Sequence, residues 1–167
     1  IPMQADLESG MTLEENIHFI ASLYSLDKET IQNRLQRFSE ELNIAEILQD
    51  YPGNISTGIQ KKAMFLRVLV LNSSVIFLDE PTAFMDPGSA RQIWTILKRL
   101  QPEKTIVYTS QNLKEVEQNH DRILVLHNGK IVLDGHLDKL LESTVEYHQF
   151  RLELENVTDE LFNQVEK

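Results

Sequence analysis

The sequence predicts an α/β fold, a parallel sheet flanked by helices, with a helical layer before it and an antiparallel accessory after it. Three observations carry this. Val75-Ile76-Phe77-Leu78 is a run of four large apolar residues bounded by Ser73-Ser74 and Asp79, as expected of a strand buried on both faces. A second β-rich run, Thr105 to Thr109, follows after one amphipathic helical stretch, the alternation that builds a parallel sheet. Finally, Ile123 to Leu126 and Ile131 to Leu133 flank His127-Asn128-Gly129-Lys130, and Asn-Gly between apolar runs closes hairpins.

The elements follow in order from local chemistry. Pro2 keeps the first residues extended, and polar Ala5 to Gly10 reads as a loop. Thr12-Leu13-Glu14-Glu15 is a capping box. The helix it starts carries Leu13, Ile17, Ile20 and Tyr24 on one face, and a second after Asp27 carries Ile31, Leu35, Phe38 and Leu42. Ile44, Ile47 and Leu48 suggest a short third helix. These stripes read as core packing, not as a cofactor box. Tyr51-Pro52-Gly53-Asn54 is a turn, and a long apolar helix is expected from about Gln60 to Leu71. Ser56 and Gly58 then sit at its N-terminus, where unpaired amides and the positive dipole end favour an anion. Asp86-Pro87 caps and opens the next helix, with Ala90, Ile93, Trp94 and Leu97 on its buried face. Asn112 with Glu115 starts another. Past Gly135 the pattern changes, to a short helix with Leu137 and Leu140, a strand half buried at Phe150, Leu152 and Leu154, and a last helix with Leu161 and Val165. A subdomain boundary is expected near Ser143.

Composition narrows the function. The chain has 167 residues, 41% hydrophobic content and a formal net charge of −10. That charge, without a Lys/Arg run, argues against nucleic acid as a partner. No cysteine is present, so disulfides and thiolate metal sites are excluded. No stretch approaches the roughly 20 apolar residues that span a bilayer. The five histidines, His18, His120, His127, His136 and His148, do not fall at metal-ligand spacing. Because the sequence opens at Ile1-Pro2 and closes at Lys167 within an amphipathic pattern, a fragment of a longer protein is expected.

The chemistry is concentrated where the central strand ends. Asp79 and Glu80 are adjacent carboxylates at its C-terminal end and Pro81 stops it. Open α/β sheets bind ligands at that end, and there an aspartate can hold Mg²⁺ while a glutamate polarises a water.

Ile55-Ser56-Thr57-Gly58-Ile59, then Val75 to Pro81, then Met85-Asp86-Pro87, in that order and spacing, resemble the nucleotide-binding domain of an ATP-binding cassette protein. The first segment is similar to the LSGGQ signature, the second to the Walker B strand with its following glutamate, and the third to the D-loop. Gln4, by its position before the helical layer, is similar to the Q-loop glutamine. The resemblance spans roughly residues 1 to 142, and the tail from 143 to 167 looks like the start of the C-terminal extension of some cassette exporter ATPases. It implies a P-loop NTPase-like three-layer core over about 55–142, with a helical subdomain over about 12–50. It also implies roles. Asp79 and Gln4 would hold Mg²⁺, Glu80 would be the base that polarises the attacking water, and Gln111 would stand at the switch-histidine position. Ser56, Thr57 and Gly58 would contact the γ-phosphate of ATP held by a second nucleotide-binding subunit, in a homo- or heterodimer. Asp86 would couple the two sites, and Gln4 would relay nucleotide state to a transmembrane permease. The expected place of work is the cytoplasmic face of the cell membrane, and the expected activity is ATP hydrolysis that drives transport.

The sequence departs from the family pattern at three points. Thr57 and Ile59 stand where Gly and Gln are usual, and Ile59 gives up a polar contact. Gln111 can donate one hydrogen bond to phosphate but lacks the imidazole's charge. No G-x-x-x-x-G-K-[ST] occurs, so the phosphate cradle is absent from these residues, and the reading is of a chain truncated on its N-terminal side that does not hydrolyse ATP alone. Two rivals remain in view. One is a degenerate cassette that regulates without turnover, motivated by Gln111 and Ile59. The other is a soluble cassette protein with no permease, which the acidic charge and the lack of long linker segments disfavour.

Overall fold

The computed structural model describes residues 7–136. Gln4 and the elements expected beyond Gly135, including the boundary near Ser143, lie outside them. The chain divides into two compact units, one running to Asn119 and one beginning at His120.

Helix α1 (Leu13–Leu23) begins as its sequence requires, with the Thr12 hydroxyl accepting the Glu15 N–H at 3.2 Å and the Glu15 carboxylate accepting the Thr12 N–H at 2.8 Å. Two more first-turn amides would be left without partners. Instead, the Leu13 N–H donates to Asp50 O and the Glu14 N–H to Leu48 O, at 3.0 and 2.9 Å. Buried Asn16 fastens the preceding loop, since its amide donates to Glu8 O and Thr12 O while its oxygen accepts the Glu8 N–H. Helix α2 (Lys28–Glu41) is capped by Asp27, and the expected short third helix is a 3-10 turn over Ala45–Ile47.

Helix α3 (Thr57–Leu71) starts three residues earlier than the apolar run alone indicates, because the Ser56 hydroxyl accepts the Ile59 N–H at 3.3 Å. It stops where Asn72 takes the left-handed conformation, φ 55°, which asparagine tolerates better than most residues. α3 is the spine of the unit. Ala63, Met64, Phe65, Leu66, Leu69 and Val70 are all buried along it, and it packs on both α1 and α2. Full burial of one such leucine or phenylalanine contributes about 1.5–3 kcal/mol.

Strand β1 (Val75–Asp79) is followed by α4 (Pro87–Leu100), β2 (Thr105–Thr109) and α5 (Leu113–Asn119). β1 and β2 pair in parallel, with Ile76 opposite Ile106, Leu78 opposite Tyr108 and Asp79 opposite Thr109. The fold class is therefore α/β, as the sequence predicts. The expectation of a strand buried on both faces is not met. Ile76 and Leu78 are 3% exposed and join the core with residues of α3 and α4, but Val75 is 47% and Phe77 66% exposed. The alternation follows from period-two geometry when helices cover only one face.

The second unit holds β3 (Ile123–His127) and β4 (Lys130–Gly135), an antiparallel hairpin turned by Asn128 and Gly129 at φ 49° and 74°. Positive φ at both central residues is what the Asn-Gly pair supplies.

Candidate functional site

The carboxyl ends of β1 and β2 bring Asp79 and Thr109 side by side, and the Thr109 hydroxyl donates to Asp79 Oδ1 at 2.5 Å. Thr109 Oγ1 in turn accepts the Glu80 N–H at 3.1 Å. Thr109 therefore orients the first carboxylate and anchors the backbone of the second. Glu80 stands in the left-handed region at φ 47°, as does Phe84 at φ 65°. Neither is glycine, and each such conformation costs on the order of 1–3 kcal/mol. The turn between them is closed by the Ala83 N–H on Glu80 O and the Met85 N–H on Thr82 O, both at 3.2 Å.

A lysine from α3 reaches this turn. Lys61 is 6% exposed, its Nζ donates to Glu80 O at 2.9 Å, and the ammonium lies 5.6 Å from the centre of the Phe84 ring. Burial pulls its pKa below the ordinary lysine value, while the negative charges of Glu80 and Asp79 push the other way.

Glu80 and Gln111 line one cavity of about 790 Å³, together with Phe84, Met85, Trp94 and Glu115. Trp94 stacks edge-on to Tyr108 with ring centres 4.8 Å apart, and its buried Nε1 has no acceptor among the described residues. Glu115 ties the far wall to the turn after Glu80, accepting from the Thr82 hydroxyl at 2.7 Å.

The other sequence candidates are placed as follows. Ser56 and Thr57 are exposed at the N-terminus of α3, and Gly58 is half-buried there. A side chain begun at Gly58 would meet Phe84 O at 3.9 Å, so the start of α3 lies against the turn that carries Glu80. Ile59, where a glutamine is usual, packs on the hydrophobic core; the lost polar contact is replaced by apolar burial. Asp86 caps α4, accepting the Gly88 and Ser89 N–H groups at 2.9 Å on Oδ1. A hydrogen bond from the Ser89 side chain first, and then the Ser89 and Gly88 N–H groups, hold its carboxyl below the usual range. Gln4 lies outside the described residues. Asp79, Glu80 and Gln111 thus gather at the sheet end, and Ser56 to Gly58 lie one turn of helix before Lys61.

Sequence reasoning misses Lys61 and Thr109. Lys61 carries a readable signal, since it falls in register with Phe65 and Leu69 on an apolar stripe where a lone cation needs a partner. Thr109 carries none, because strand pairing alone sets it opposite Asp79.

A family model described as ABC transporter matches residues 1–83. The chain is 28% identical over 141 residues to the ABC transporter ATP-binding protein NatA of Bacillus subtilis, covering 84% of this chain and 57% of that protein. It is 35% identical over 127 residues to ABC transporter A family member 6 of Dictyostelium discoideum, covering 76% of this chain and 8% of that protein. It spans less than two thirds of the length of either relative. Among solved structures, an ATP-binding subunit of an ABC transporter superposes with a TM-score of 0.81 at 24% identity, covering all of this chain and 67% of that one. A dimeric post-hydrolysis state of an ATP-binding cassette bound to ADP and Pi superposes with a TM-score of 0.74 at 22% identity, over 82% of this chain and 61% of that one. These two likenesses establish the fold.

Proposed function

We propose, from the premise that this chain belongs to the ATP-binding cassette family, that it is the part of a transporter ATPase subunit carrying the catalytic carboxylates and the signature helix. One observation carries the reading: Asp79 and Glu80 stand at the carboxyl end of a parallel strand, with Glu80 and Gln111 on one cavity wall. Glu80 acts as the base that polarises the attacking water, and Gln111 donates to a phosphate oxygen. Ser56, Thr57 and Gly58 present the amide end of α3 to the γ-phosphate of a nucleotide held by a second subunit, and Asp86 couples the two sites. The phosphate cradle is supplied from outside these 167 residues, so hydrolysis belongs to the assembled ATPase.

The residues fit Mg²⁺. Among the described residues no cluster of three or more His, Cys, Asp or Glu side chains could cage a metal, but Mg²⁺ in nucleotide sites takes one or two carboxylates and leaves the rest to phosphate and water. Asp79, oriented by Thr109, is such a carboxylate, and Gln4 is the proposed second protein group. The ion, when bound, neutralises charge on the transferring phosphoryl group.

Among the described residues no helix is long and apolar enough to cross a membrane. On the family reading, the subunit works beside a transmembrane permease on the cytoplasmic face. The test is ATP turnover by the phosphate-loop-complete protein and its Glu80→Gln variant. The variant retains ATP binding and traps the dimer while turnover falls by orders of magnitude. A complete protein that binds ATP without turnover would instead be a regulatory cassette.

A further inference from the structure

We infer that Lys61 is a positioning residue for Glu80, a pin from the signature helix that fixes the backbone from which the catalytic carboxylate projects. The inference rests on the reading of Glu80 given above. A lysine 6% exposed in an apolar helix face is costly unless its ammonium is satisfied. Its hydrogen-bond partner is not a carboxylate but the main-chain carbonyl of Glu80, at 2.9 Å. The same ammonium lies 5.6 Å from the Phe84 ring centre, within reach of a cation–π attraction.

The two residues it touches are Glu80 and Phe84, both left-handed without being glycine. A strained backbone persists only where its surroundings over-determine it, and here the restraint is two-sided. Thr109 Oγ1 accepts the Glu80 N–H from one side and Lys61 Nζ donates to the Glu80 carbonyl from the other. With both peptide groups held, the direction of the Glu80 Cα–Cβ bond is set. Lys61 also lies five residues after Ser56 on one continuous helix, so displacement of α3 by an anion at its N-terminus is carried by Lys61 to Glu80.

Two experiments decide it. In the chain itself, hydrogen exchange is followed at the Glu80 and Ala83 amides in wild type and Lys61→Met. The expected result is at least about tenfold faster exchange at those two amides, with α1 and α2 amides unchanged; unchanged exchange at Glu80 and Ala83 overturns the proposal. In the phosphate-loop-complete protein, Lys61→Met lowers kcat by about ten- to a hundredfold and leaves the KM for Mg-ATP within about twofold, and Lys61→Arg recovers most of the loss. A folded Lys61→Met protein with wild-type kcat overturns it, as does a loss that Lys61→Arg does not recover. Should Lys61→Met not fold, Lys61→Gln is read in its place by the same criteria. If the complete wild-type protein does not hydrolyse ATP, the functional reading fails, and amide exchange alone decides whether the pin exists.

Discussion

The Thr109 hydroxyl lies 2.5 Å from Asp79 Oδ1, across the paired ends of β1 and β2. It is the donor that orients the proposed metal ligand. Thr109→Val keeps the shape, removes that donor and leaves the Glu80 N–H without its acceptor. Groups that orient a metal ligand are worth about 10- to 100-fold in metal affinity. The Mg²⁺ concentration for half-maximal ATPase activity of the complete protein rises by that factor in Thr109→Val, and Thr109→Ser stays near wild type. An unchanged Mg²⁺ requirement in the valine variant means that Asp79 is oriented by something else or holds no metal.

Gln111 shares a cavity wall with Glu80, so its substitution reports on the same site. Gln111→His adds an imidazole, a stronger donor to a phosphate oxygen when protonated. In the complete protein this raises ATP turnover if the natural site is a slowed enzyme. Steady-state phosphate release checks it, and a variant as slow as or slower than wild type refutes the idea that Gln111 limits the rate.

What could be read from the sequence was whatever is local in the chain. The capping box at Thr12 and Glu15, the Asp86-Pro87 helix start and the Asn128-Gly129 turn were all legible, because each is set by residues within a few positions. The fold class was legible too, from alternation of strand and helix patterns. The strand at Val75 was misread as covered on both faces, since four apolar residues in a row look the same whether their second face is covered or bare. Within the site, Asp79 and Glu80 announce themselves as paired acids. Thr109 does not, because it meets Asp79 only through a parallel register between strands 30 residues apart. Lys61 lay between these extremes: the stripe Lys61, Phe65, Leu69 marks a cation in an apolar row, yet no local rule names Glu80 O as its partner.

The hairpin of the second unit carries its own acid sensitivity. Arg122 forks onto Asp134 with Nε to Oδ1 and Nη2 to Oδ2, each at 2.7 Å. The guanidinium's hydrogen bonds, more than its charge at a distance, hold the Asp134 carboxyl below its ordinary value. A depressed carboxyl contributes stability that is present at neutral pH and lost as pH falls through the lowered folded value. NMR titration should find the Asp134 midpoint below that of a free aspartate, and Asp134→Asn should abolish this part of the acid dependence. A midpoint at or above the free value would show that the fork does not persist in solution.

The exposed apolar side chains of the β1–β2 pair have a consequence for the chain studied by itself. Val75, Phe77 and Val107 are 47%, 66% and 45% exposed, and Phe77 and Val107 are opposite one another in the register, so they form one apolar patch on the face away from α3 and α4. Each strand pairs only with the other among the described residues. An exposed apolar patch favours association. The 167-residue chain should therefore sediment as a concentration-dependent mixture, and its β1 and β2 amides should exchange faster than those of α3 at the lowest concentrations. Phe77→Lys puts a charge at the centre of the patch without touching Ile76 or Leu78 on the covered face, so it should shift the mixture toward monomer with little loss of helical signal. A wild-type chain that stays monomeric at high concentration, with both strands well protected, would show that this face is not an association surface.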